Sequence, residues 1–233
     1  MGQTIGKASI HPGALPFVNL PKSTIDTLRQ CVNEVAEGFG LSRDELKQII
    51  HLSFQEYIRI LDSTTLDHWS DELFVLFSSE AQSVKSTKEQ NDELIDSFEF
   101  LATIFAVSSM QPDENIDFIF DLFDVSECGY LSINEVTLSF RLLTSGAEKI
   151  SSNSFEFDVH SIDRLVLKGF EFSSKTATQD EDLRMNKHDF FHFISNCSET
   201  MSFLSWLDDI AVEDRPRSTI ERNETKVNTT PPI

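Results

Sequence analysis

The chain has 233 residues, 39 of them acidic and 19 basic, for a formal charge of −20. A field of that sign repels phosphate backbones and excludes nucleic acid as a partner class, while it suits cations and basic, apolar peptides. With 20 Phe against 2 Tyr and 2 Trp, phenylalanine is the main filler of any core.

Three widely spaced cysteines, Cys31, Cys128 and Cys197, form no disulfide or metal pattern and point to a reducing, intracellular compartment. The sequons at Asn196, Asn223 and Asn228 are then chance matches. No apolar run is long enough to span a bilayer. Met1 to Lys7 lacks the apolar core of a secretory signal.

Residues 1–22, with Pro12, Pro16 and Pro21, are expected as a mostly extended N-terminal arm. From Ser23 to about Leu61 two helical patterns are split near Gly38-Phe39-Gly40, and Ser42 with Glu45 forms a capping box at the second. A helix runs through Glu72–Phe77, a polar run through Ser78–Asp92, and helical periodicity resumes at Phe98–Phe105. Pro112 stands in the first turn of a helix whose Ile116, Ile119, Phe120 and Phe123 form one apolar stripe. The next helix carries Val136, Phe140 and Leu143. Residues 145–157 read as a Ser/Gly-rich linker. A helix over about 160–170, a polar insert over 171–182, the apolar run Phe190–Ile194 and an amphipathic segment Ser202–Ile210 follow. The tail 211–233 is polar and expected to be disordered. No two-residue alternation is sustained, so almost no sheet is expected. The fold class is all-α.

Asp124-Val125-Ser126-Glu127-Cys128-Gly129-Tyr130-Leu131-Ser132-Ile133-Asn134-Glu135 lies between two of these helices. A calcium ion takes six to eight hard oxygens, and a twelve-residue loop delivers them from positions one, three, five, seven, nine and twelve. Asp124, Ser126, Cys128, Tyr130 (through its carbonyl), Ser132 (through water) and Glu135 hold those positions. Gly129 stands sixth, where the turn favours positive φ. Leu131, in the eighth place, suits a short strand pairing two neighbouring loops. Loop and flanking helices together resemble an EF-hand. The departure is Cys128, whose soft thiol is a poor ligand for a hard cation. An affinity of roughly 10⁻⁶ to 10⁻⁴ M is therefore expected.

The same grammar recurs in damaged form. Ser78 to Glu99 is too long for such a loop, Ala36 to Glu45 too short and poor in ligands, and Glu171 to Asp189 lacks a well-placed glycine despite Asp180, Glu181 and Asp182. Four hands, three of them degenerate, resemble the neuronal calcium sensor and calcineurin B-like branch of the calmodulin superfamily. That resemblance implies two lobes, 23–110 and 111–210, and an apolar groove that docks a partner helix. Phe203–Asp209 is similar to the closing helix of that branch, which can cover the groove. Gly2 is a candidate for N-myristoylation, although Gly6 replaces the usual Ser or Thr. One acyl chain anchors a protein only weakly.

The expected function is a calcium-responsive adaptor in the cytoplasm. The alternative is a constitutive structural subunit, for example of a ciliary or cytoskeletal assembly. No enzyme is expected: the six histidines are scattered, and His188 and His192 share a helix face without the Glu of a zinc protease.

Overall fold

In a computed structural model, residues 10–18, 20–55, 62–78, 93–108, 110–151, 159–173 and 183–212 are described. Gly2, Asp180 to Asp182, most of the polar run after Ser78 and the tail from residue 213 lie outside them.

The described chain is mostly helical, as expected for an all-α protein. In order it forms α1 (Lys22–Val35), β1 (Gly40–Leu41), α2 (Arg43–Ser53), α3 (Ser63–Phe77), β2 (Ile95–Asp96) and α4 (Ser97–Val107). Then come α5 (Pro112–Phe123), β3 (Tyr130–Ser132), α6 (Ile133–Ile150), α7 (Val159–Ser173), β4 (Arg184–Asn186), α8 (Lys187–Asn196) and α9 (Ser198–Val212). Helix, short strand, helix occurs four times among the described residues. The strands pair antiparallel, β1 with β2 and β3 with β4, with Leu41 opposite Ile95 and Leu131 opposite Met185. These four side chains are all buried, so each strand pair also plugs the end of the core beneath it.

Each helix that leaves a strand begins with the same device. Ser42, Asp96, Ser132 and Asn186 accept a hydrogen bond from the backbone N–H three residues on, at Glu45, Glu99, Glu135 and Asp189. Such caps satisfy donors that the first turn cannot pair internally. The first and third acids lie 90 residues apart (135 − 45), as do the second and fourth (189 − 99). The two halves of the chain are therefore in register.

α6 is longer than expected. Residues 145–157, expected as a linker, begin instead as the last turns of this helix, which reaches Ile150. Packing overrides the weak helix propensity of Ser145 and Gly146. Gly146 lies where α6 crosses α4 so closely that a Cβ there would overlap the Thr103 hydroxyl. Beside the crossing, Lys149 Nζ donates to Glu99 Oε2 at 2.6 Å and to the Phe77 carbonyl at 2.8 Å. Ser145 Oγ donates to Glu99 Oε1. Glu99 is 4% exposed, so it needs these partners. One continuous hydrophobic core thus runs through both halves.

The extended arm expected over 1–22 is also corrected where it is described. Pro12–Phe17 forms a 3-10 helix, and Ile10, Ala14, Phe17, Val18 and Leu20 are buried. Phe17 inserts among Phe54, Trp69 and Phe100, with ring centroids 6.3, 5.1 and 6.2 Å away. Trp69 Nε1 donates to the Gly13 carbonyl at 2.7 Å. The prolines excluded α-helix and strand, but they did not prevent a compact apolar turn.

Removing one partner of a buried ion pair costs about 3–5 kcal/mol, because the other charge is left unpaired. Lys149→Met should lower unfolding stability by that order in urea denaturation. The double change Glu99→Leu with Lys149→Met should recover part of the loss; equal losses would show that the cost does not come from leaving Glu99 unpaired.

Candidate metal centre

The loop between α5 and α6 is closed around Asp124. Its backbone N–H bonds the Phe120 carbonyl, which ends α5. Its carboxylate then turns inward: Oδ1 accepts from Cys128 N at 3.0 Å and Oδ2 from Gly129 N at 2.8 Å. Ser126 Oγ points at Oδ1 from 3.4 Å. Two residues take left-handed backbone, Glu127 at φ 52° and Gly129 at φ 78°. Gly129 meets the sequence requirement for glycine at the turn. Glu127 does so at a cost to a residue with a Cβ. Asp124 is buried, while Glu127 and Cys128 face out.

The predicted ligands are brought together only in part. Asp124 and Ser126 meet inside the loop. Cys128 Sγ donates to the Tyr130 carbonyl at 3.3 Å, so the fifth side chain and the seventh carbonyl do converge. Their contact is a weak hydrogen bond that an incoming cation would have to displace. Ser132 stands at the start of α6, and Glu135 turns back to it. Glu135 Oε2 accepts from Ser132 N at 2.7 Å and from Ser132 Oγ at 2.8 Å, while Glu135 N donates to Ser132 Oγ. Glu135 Oε2 therefore completes a capping box with Ser132. Among the described residues no three His, Cys, Asp or Glu side chains converge as a metal-binding group.

The spacing that signals a cap at Ser42 and Glu45 stands also at Ser132 and Glu135, where it coincides with the ligand pattern. The two boxes are alike. Glu45 Oε2 accepts from Ser42 N and Ser42 Oγ at 2.7 and 2.6 Å. These bonds to Ser42 hold the Glu45 carboxyl below its ordinary pKa of 4.5, with a smaller contribution from the Glu37 N–H.

Between α5, α6, α8 and α9 lies a cavity of about 570 Å³. Ile116, Ile119, Phe140, Leu143 and Phe190 line it, and Phe203 of α9 closes one wall. Phe203 is buried, with Trp206 stacked on it at 5.8 Å. The C-terminal half thus holds a cavity lined largely by apolar side chains, with α9 against it. No described helix is long and apolar enough to cross a membrane. No protein-family model matches the chain, and no curated protein matches it.

Because the folded Glu45 pKa is depressed, its contribution to stability is full above about 4.5 and fades as pH falls through the folded value. Ser42→Ala should cost about 0.5–2 kcal/mol near neutral pH. The gap from wild type should narrow in denaturation curves recorded below pH 4.5; a gap that widens on acidification would contradict the assignment.

Proposed function

We propose that this protein is a calcium-binding EF-hand protein that acts as a calcium-responsive adaptor and docks a partner helix in the apolar cavity of its C-terminal half. The observation that carries the proposal is the inward carboxylate of Asp124, pinned by Cys128 N and Gly129 N beneath the Leu131–Met185 strand pair. Those bonds turn the Asp124 carboxylate into the loop, with the Ser126 hydroxyl beside it.

The donor set suits a hard cation. Asp124, Ser126, the Tyr130 carbonyl and Ser132 supply oxygens, and Glu135 adds a carboxylate once it leaves its capping box. With water this reaches the six to eight oxygens that calcium takes. A bound calcium ion would supply the charge that draws Glu135 toward Asp124. The residues do the rest. Glu135 gives up two hydrogen bonds from Ser132, and α6, which carries it, shifts against α5. Phe140 and Leu143 on α6 face Ile116 and Ile119 on α5 across the cavity, so this shift alters the docking surface. The acidic surface favours a basic partner helix.

Two features weaken the site. The thiol at Cys128 is a poor donor to a hard ion, and the Glu135 cap opposes binding. The Glu135 cap also favours the second reading, a constitutive scaffold in which the loops serve as fold elements and calcium regulates little.

Calorimetric titration with calcium tests the proposal. Wild type should bind one ion with Kd of roughly 10⁻⁶ to 10⁻⁴ M, and Asp124→Ala should abolish the heat. Cys128→Asp, which installs a hard ligand, should tighten binding by about tenfold or more. Hydrophobic-dye fluorescence should rise with calcium and not with chelator. Silence from wild type and from Cys128→Asp alike would leave only the scaffold.

A further inference from the structure

We propose that the N-terminal half holds a peptide-exchange groove: residues Ile10–Val18 sit in it as a ligand supplied by the chain itself, and a partner segment with the same anchors takes their place. This goes beyond the docking proposed for the C-terminal half, and it does not depend on an ion.

The internal repeat carries the argument. At the 90-residue register, Ile50, Phe100 and Ile104 correspond to Phe140, Phe190 and Ile194 (140 − 50, 190 − 100, 194 − 104). The latter three line the C-terminal cavity, with α9 along one wall. In the N-terminal half the Phe17 ring lies against Phe100 with centroids 6.2 Å apart, and Phe54 and Trp69 enclose it. The repeated unit does not need such a segment to form. The first unit is preceded by the 3-10 helix Pro12–Phe17, whereas α4 ends at Val107 and α5 begins at Pro112, four residues ahead of the second unit (112 − 107 − 1). The C-terminal half nonetheless completes its two helix–strand–helix elements and its strand pair.

The segment is patterned like a bound peptide. Ile10, Ala14, Phe17 and Val18 are buried, while His11, Pro12, Leu15 and Pro16 face outward. One face is apolar and the other wet, as in a short element laid into a groove. Trp69 Nε1 donates to the Gly13 carbonyl, a backbone group that any sequence supplies. Selectivity therefore falls to the buried side chains. The partner is a protein segment with a small residue in the place of Ala14, a phenylalanine three positions on and an aliphatic residue directly after it. The segment is tied closely to the groove, since Val18 and the first residue of α1, Lys22, are four positions apart (22 − 18). So short a tether gives an effective concentration on the order of millimolar. A free segment of equal affinity loses to it at micromolar concentration and wins once the tethered anchor is weakened.

The probe is a fluorescently labelled synthetic peptide of residues 10–20, followed by anisotropy. Wild-type full-length protein should not bind it at micromolar concentration. Full-length Phe17→Ala should bind it one to one, because loss of the ring weakens the tethered segment by about ten- to a hundredfold. A peptide carrying the same Phe17→Ala change should bind that protein weaker by about the same factor. A second protein keeps the test open if full-length Phe17→Ala does not fold. It is the full-length chain with a protease site inserted between Leu20 and Pro21, cut after folding. It should keep its circular dichroism on cutting and exchange the cut segment for the labelled peptide. Loss of the fold on cutting, retention of the cut segment without exchange, or no peptide binding by folded Phe17→Ala protein shows that Ile10–Val18 is core and not ligand, and overturns the proposal. Equal binding of the two peptides, or binding to wild type as strong as to Phe17→Ala, places the peptide outside this groove and overturns it as well.

Discussion

The crossing of α4 and α6 sets the rest of the structure. Its closeness comes from Gly146 against Thr103, and its chemistry from Glu99, a buried carboxylate held by Lys149 and Ser145. A carboxylate buried to 4% exposure has lost its hydration, and these partners replace it. Glu99 occupies the second loop's counterpart of Glu135, and an internal ammonium group takes up its charge. The pair therefore settles two matters at once. It ties the N-terminal half to the helix that leaves the candidate loop, and it removes the acid from any role toward a free cation in the second loop.

Around that crossing the two halves are unequal. In the N-terminal half, Phe17 already fills the space among Phe54, Trp69 and Phe100. In the C-terminal half the space between α5, α6 and α8 remains as a cavity, with only α9 along one wall. An apolar partner thus has room in one half and meets part of the chain itself in the other. This asymmetry supports the proposal that docking belongs to the C-terminal half.

Much of the fold was legible because it rests on local rules. The Ser42–Glu45 box, Pro112 in the first turn of α5, and the stripe Ile116, Ile119, Phe120 and Phe123 all stand where the pattern put them. Leu131 lies in a strand that pairs two loops, as its position suggested. What was not legible depends on distant partners. Ser145 and Gly146 look like linker residues until α4 is beside them, and three prolines look like an extended arm until Trp69 and Phe100 receive Phe17. The loop was half legible. Spacing located Asp124 and Gly129, yet Glu135 serves two patterns, three residues after Ser132 and eleven after Asp124, and the shorter-range one holds it here. The 90-residue register between Glu45 and Glu135, and between Glu99 and Asp189, was present in the sequence throughout. Unequal loop lengths within each half hid it.

That Glu45 and Glu135 adopt the same pose has a consequence for how this chain folds. The first loop has almost no oxygen ligands, and its acid still clasps the serine before it, so the clasp is a device of chain assembly that owes nothing to metal. The third loop inherits the same device. In this structure its backbone is formed with the acid already employed, so under the proposed reading a cation would be a competitor for a finished joint rather than the mortar that sets it.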